Sequence, residues 1–139
     1  MGYKVAVVGA TGNVGREVLS IMEERQFPAD KIVALASNRS AGIEVSYGDD
    51  QTLKVQDLAN FDFVNTDIVL SSPGAQVSAK HSPRAAKAGS IVIDNTSYFR
   101  MQKKIPLIVP EVNASILEEF FQDETRTNII SNPNCSTIQ

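Results

Sequence analysis

Cysteine, histidine and tryptophan are almost missing from this chain: one Cys, one His and no Trp in 139 residues. A single cysteine, Cys135, excludes an intrachain disulfide framework and leaves one thiol that is either inert packing or reactive. One histidine and one cysteine assemble no metal-ligand set, so no metal is expected. Aromatic residues make up only 6% and are not interleaved with Lys or Arg, and the net charge is -3 with no basic cluster. That pattern excludes a nucleic-acid surface. No apolar run is long enough to span a bilayer, so no membrane partner is expected. The opening "MGYKVAVVGATG" is broken by glycine too early for a signal-peptide core, and a cytoplasmic protein is expected. The length suits one domain with a real core and is too short for two.

Against these absences, β-branched runs stand out. "YKVAVVGA", "KIVALAS", "DIVLSS", "SIVIDNTS" and "TNIIS" read as buried parallel strands, and "PLIVP" as extended. "NVGREVLSIMEER" spaces Val14, Val18, Leu19, Ile21 and Met22 for one helical face. "FPAD" reads as a turn, and "QTLKVQDL" as a short strand in a polar stretch. "SPRAAKAG" predicts a short helix with Ser82 as N-cap, Pro83 first and Gly89 past its end. "NASILEEFFQ" predicts another, capped by Asn113 or Ser115. Strands alternating with helices, without repeats or linkers, predict an α/β fold: a Rossmann-like, doubly wound, mostly parallel sheet filling residues 1–139. Ligands of such sheets sit at the C-terminal strand ends.

After the first strand comes Gly9-Ala10-Thr11-Gly12-Asn13-Val14-Gly15. Gly9 allows the tight turn, Gly12 lets backbone approach a pyrophosphate at the helix start, and Gly15 permits close helix–strand packing. A glycine-rich turn without ligand is the plainer reading; placement between an apolar strand and an amphipathic helix favours a dinucleotide. At the end of the second strand, Ser37-Asn38-Arg39-Ser40 offers no acid for a ribose 2′-hydroxyl. Arg39 instead suits a 2′-phosphate, with Ser37 and Ser40 as donors, and the cofactor expected is NADP.

Cys135 follows "TNIIS" and an Asn-Pro-Asn turn, where a helix beginning "CSTIQ" would stabilise thiolate. A thiol beside a nicotinamide suggests an acyl group held as a thioester while hydride moves. A Tyr-x-x-x-Lys pair, which sugar epimerases and short-chain reductases need, is missing: Tyr98 is followed by Phe99, Arg100, Met101 and Gln102.

"VAVVGATGNVGREVL", "ALASNRSAG", "VIDNTSYFR", "PLIVPEVN" and "NPNCSTIQ" together resemble the N-terminal part of the aspartate-β-semialdehyde dehydrogenases. The alternatives are an enzyme like the N-acetyl-γ-glutamyl-phosphate reductases, which typically carry glycine directly before the cysteine where Asn134 stands here, and a non-catalytic nucleotide-binding module. The resemblance implies that Cys135 attacks aspartyl phosphate, phosphate leaves, and NADPH reduces the thioester, in the pathway to lysine, threonine and methionine. It assigns Thr11, Gly12, Asn13 and Val14 to the cofactor's phosphates, Arg39 and Ser40 to its 2′-phosphate, and Arg100, Asn95 and Asn134 to the substrate's phosphate and its surroundings. The loop Ser71-Ser72-Pro73-Gly74 replaces the family's Ser-Ala-Gly-Gly. Pro73 removes an N–H, which bears on the contacts expected from Ser72 and Gly74. His81 is read as a surface residue, because the family's base comes from a later domain. The resemblance further implies a second domain beyond this chain, a homodimer or homotetramer, and a chain that binds cofactor but is inactive alone.

Overall fold

The structure, a computed structural model, describes residues 2–100, 102 and 104–133. Cys135, Asn134 and the helix expected after them lie outside the described residues.

In chain order the elements are β1 (Tyr3–Val8), α1 (Asn13–Glu24), β2 (Ala29–Ala36), β3 (Glu44–Tyr47), β4 (Gln51–Lys54), β5 (Gln56–Asp57), β6 (Ile68–Ser71), α2 (Ala75–Lys87), β7 (Ile91–Asp94), α3 (Pro110–Asn113), α4 (Ile116–Gln122) and β8 (Ile129–Ser131). Six strands form one sheet in the order β5-β2-β1-β6-β7-β8, with every pairing parallel. The expected Rossmann-like winding is therefore present. The chain leaves β1 in one direction for β2 and later returns to its other side with β6. The switch point between β1 and β6 is where such a sheet opens a crevice at its C-terminal edge.

Strand β1 is buried on both faces, so its run of Val5, Ala6, Val7 and Val8 is apolar throughout rather than alternating. Val5 and Val7 face Leu19 and Met22 of α1, with Ala34, Ala36, Val45 and Val55. Ala6 and Val8 face the other layer, where Ala85 and Ala86 of α2 pack with Leu35, Phe63, Val69, Val92 and Phe99. Burying each of these larger side chains contributes roughly 1.5–3 kcal/mol. The helices flank both faces of the sheet, which fixes the two loops at the switch point between two packed layers.

Several local expectations are corrected. Helix α2 begins at Ala75, seven residues before Ser82, because Gly74 turns the chain at φ 97° and α2 starts directly after it. Pro83 thus lies inside the helix, on an exposed position where the carbonyl it leaves unpaired can meet water. Ser82 is buried and serves a carboxylate rather than a cap. The polar stretch after β2 holds a complete antiparallel hairpin, β3–β4, which leans on α1 through Val45. Strand β2 reaches back to Ala29, inside the expected turn. Neither Asn113 nor Ser115 caps α4: Ser115 has helical dihedrals and no capping bond, and Asn113 is occupied with Val109 N–H and Leu107 O. Residues 106–109 of "PLIVP" run extended beside β8, joined through a Leu107–Ser131 bridge, and Pro110 begins α3. Of the expected α1 face, Leu19 and Met22 are buried, but Val14 and Ile21 are 46% and 39% exposed.

Candidate functional site

The glycine loop is built by contact distances. Gly9 has φ 83°, and a Cβ there would lie 2.9 Å from the Ser72 carbonyl and 3.0 Å from Pro73 Cα. The two switch-point loops therefore touch through the missing side chain. Gly15 is tighter: a Cβ would stand 2.1 Å from the Gly9 carbonyl oxygen and 2.8 Å from Ala10 Cα. Gly12 differs, since its φ is -80° and a Cβ would meet only Gly9 O, at 3.4 Å. Its lack of a side chain serves neither the turn nor the packing, and it leaves the backbone open toward the crevice. Gly12 is also the N-cap of α1, and no side chain caps that helix. The first-turn N–H groups, beginning with Asn13, Val14 and Gly15, have no intrahelical acceptors and attract an anion.

On one side of the Gly9–Ser72 contact lies a cleft of about 410 Å³. It is lined by the glycine loop at Gly9, Thr11 and Gly12, by Ser37 and Asn38 after β2, by Asp57, Leu58 and Ala59 after the neighbouring β5, and by Pro73, Val77 and His81. Arg39 and Ser40 continue the turn from Ser37 but are not part of the lining; Arg39 is exposed, and Ser40 N–H donates to Ser37 O at 2.9 Å. Asp57, at the end of β5, spends its carboxylate on its own turn, accepting from Ala59 N–H at 3.1 Å and Asn60 Nδ2 at 2.6 Å. His81 is half-buried in this lining rather than on open surface. Burial, then the positive Arg84 and Lys80, hold its pKa below the usual imidazole value, against an opposing pull from Asp57.

On the other side, a cleft of about 500 Å³ runs between α1 and the sheet. Val14, Val18, Ile21, Leu70 and Ile93 line its apolar length, and Asn13, Ser71, Ser72, Asn95 and Asn132 its polar end. The exposed Val14 and Ile21 belong to this lining. Ser72 lies on both clefts, and its N–H ties to Val8 O at 3.0 Å.

The polar end is braced from beneath. Asp94, the last residue of β7, is fully buried; its Oδ1 accepts from Thr96 N–H at 2.7 Å and Thr96 Oγ1 at 2.6 Å. Its Oδ2 accepts from Ser82 Oγ at 3.0 Å and from the Ser78 hydroxyl. A buried carboxylate needs such donors in place of water. The network fastens α2 to the turn carrying Asn95. Arg100 closes the arrangement: its Nε donates to Asn132 O at 2.8 Å and its Nη2 to Asn95 O at 2.9 Å. The guanidinium thus bridges the ends of β7 and β8, just before residue 134, and keeps further N–H donors unused by these two bonds.

Of the residues singled out by sequence, the structure brings Gly9, Thr11, Gly12, Ser37 and Ser72 to one cleft, and Asn13, Val14, Ser72 and Asn95 to the other. Gly15 acts through packing, and Gly74 through its dihedral, having nothing within 4 Å of a Cβ. Asn38, Leu58, Ala59, Val77, His81 and the Asp94 network were missed. Helical spacing could have shown Val77 and His81, four apart after a strand-end loop, as neighbours on one face.

Comparison with known proteins identifies the family. The model of the semialdehyde dehydrogenase NAD-binding domain matches residues 4–120. An aspartate-semialdehyde dehydrogenase of Rickettsia bellii is 51% identical over 136 residues, which is 98% of this chain and 39% of that relative's length. A crystal structure of aspartate semialdehyde dehydrogenase II of Vibrio cholerae, complexed with ASA, is 47% identical with a TM-score of 0.90, covering 99% of this chain and 44% of that one. One from Candida albicans with NADP is 27% identical with a TM-score of 0.72, over 98% of this chain and 44% of that one. The chain thus spans about two fifths of the curated relative it matches. A glycine loop at the switch point, an uncapped helix start above it and a match over most of the length place the chain in one family: it belongs to the semialdehyde dehydrogenases, as their NAD-binding domain.

Proposed function

We propose that this chain is the NADP-binding part of an aspartate-semialdehyde dehydrogenase that reductively dephosphorylates aspartyl phosphate. The observation that carries the proposal is the Gly9–Ser72 contact at the β1–β6 switch point, with a cleft on either side of it. A dinucleotide crossing that point would have its pyrophosphate over Gly12 and the α1 start, where a side chain would otherwise intrude. Thr11, Gly12, Asn13 and Val14 would hold that pyrophosphate. Arg39, with Ser37 and Ser40, would take the 2′-phosphate, and the Ser37–Ser40 turn itself has no acid to repel it. The named NADP complex of the Candida albicans relative supports that choice. When bound, the reduced cofactor supplies hydride.

The substrate end follows from the polar end of the larger cleft. Arg100 is held in one plane by the carbonyls of Asn95 and Asn132, and its remaining donors would bind the acyl phosphate. Cys135, in the motif that resembles the family's, would attack the acyl carbon; the carbon–oxygen bond to phosphate breaks, phosphate leaves with the electron pair, and a thioester remains. A later domain would provide the proton-transferring histidine and the subunit contacts of a homodimer or homotetramer. In the full-length enzyme, Cys135→Ala should abolish turnover and leave NADPH affinity within about twofold, since the thiol contributes no strong bond to the cofactor. Retained turnover would place the nucleophile elsewhere.

A further inference from the structure

The smaller cleft carries an imidazole to which no role has been given. His81 stands on α2 one turn beyond Val77, among Leu58, Ala59 and Pro73. Its ring is fixed by Arg84. Arg84 Nη2 lies 3.0 Å from His81 Nδ1 and also donates to Leu58 O at 2.8 Å, while Nη1 donates to Phe61 O at 2.6 Å. The guanidinium lies over the Phe63 ring, 4.8 Å from its centroid. A guanidinium has donors only, so the contact with Nδ1 requires the lone pair of that nitrogen. The neutral ring then carries its proton on Nε2. Burial and the neighbouring Arg84 and Lys80 favour this neutral form.

The surroundings say what such a donor would meet. Leu58, Ala59, Pro73 and Val77 line the cleft together with His81, and the carboxylate oxygens of Asp57 accept from Ala59 N–H and Asn60 Nδ2. Ser37 and Asn38 line the same cleft. A flat heteroaromatic ring with acceptor nitrogens at its edge suits an apolar lining carrying one neutral N–H donor. A phosphate would call for a cation instead.

We propose that His81, held by Arg84 as the Nε2–H tautomer, is a nucleobase contact: it donates to a ring nitrogen of the adenine resting against Leu58, Ala59 and Val77. The proposal rests on the dinucleotide reading of the cleft but not on the choice between NAD and NADP, because both carry adenine. Arg84 is then a positioning residue that sets the tautomer and ties α2 to the turn at Leu58.

The test uses the full-length enzyme and three probes: NADPH, NADH and reduced nicotinamide mononucleotide, which lacks adenosine. His81→Ala should weaken NADPH and NADH by the same factor, about three- to tenfold for one neutral hydrogen bond, and leave the mononucleotide unchanged. His81→Gln, which restores a side-chain N–H, should recover most of that loss. Dinucleotide affinities unchanged in His81→Ala would overturn the proposal, as would an equal loss for the mononucleotide. A wild-type enzyme that binds no dinucleotide would overturn the reading of the cleft and this contact with it. Equal wild-type affinity for NADPH and NADH would defeat only the 2′-phosphate assignment, and a shared loss in His81→Ala would still support the contact.

Discussion

Adding one methyl group at Gly15 should cost stability as well as cofactor affinity, whereas one at Gly12 should cost affinity alone. In Gly15→Ala the new Cβ falls 2.1 Å from the Gly9 carbonyl oxygen and 2.8 Å from Gly9 C and Ala10 Cα, all backbone atoms. A carbon–oxygen contact settles near roughly 3.3–3.6 Å, so α1 and the β1 turn must part by roughly 1.2–1.5 Å. Forced overpacking of this kind costs about 1–3 kcal/mol. The helix-propensity gain of alanine over glycine returns at most about 1 kcal/mol, and less in a first turn. A net loss near 2 kcal/mol corresponds to a fall in melting temperature of about 4–8 °C for a unit of this size. The same displacement moves the N–H groups of the α1 start, so dinucleotide affinity should fall as well. In Gly12→Ala the methyl meets only Gly9 O, at 3.4 Å, with an ordinary φ of -80°. Melting should stay within about 2 °C, because the backbone already suits alanine. NADPH affinity should nonetheless drop tenfold or more, by about 1.4 kcal/mol, since the methyl occupies the approach to the helix start. Thermal melts and NADPH fluorescence titrations of both variants measure these effects. Unchanged melting in Gly15→Ala would refute the packing argument, and unchanged affinity in Gly12→Ala would refute the pyrophosphate placement.

Two further substitutions separate cofactor choice from scaffolding. Arg39→Ala should weaken NADPH by about 10- to 100-fold, the range of a charge-assisted hydrogen bond, while barely changing NADH; equal losses measured by titration would sink the 2′-phosphate assignment. Asp94→Ala strips the acceptor from Ser78, Ser82 and Thr96 inside the core. It should cost on the order of 3 kcal/mol or more in chemical denaturation, and a loss under about 1 kcal/mol would mean the network braces nothing.

Much of this was legible in the sequence because it follows from local sterics. Continuous apolar runs gave the parallel strands, and glycine spacing gave a loop whose contacts the structure measures at Gly9 and Gly15. The site-level losses have equally physical causes. Pro83 looked like a helix start because it removes an N–H, yet an exposed turn tolerates that loss and Gly74 starts the helix earlier. His81 looked like a surface residue because nothing local reveals that Leu58 and Phe61, more than 20 positions away, hold the arginine beside it. Asp94 reads as a polar strand end, and only the packing of α2 on β7 supplies its hydroxyl donors. Val14 and Ile21 fit a helical period but line a cleft, since period alone does not say what covers a face.

Phosphate dependence of the full-length enzyme's reaction is the decisive measurement. With aspartate semialdehyde, inorganic phosphate and either NADP or NAD, the appearance of reduced nicotinamide is followed by absorbance. Reduction of NADP should stop when phosphate is omitted and should be much weaker with NAD. Reduction that proceeds equally without phosphate, or no reduction of NADP at all, would contradict the proposed reaction.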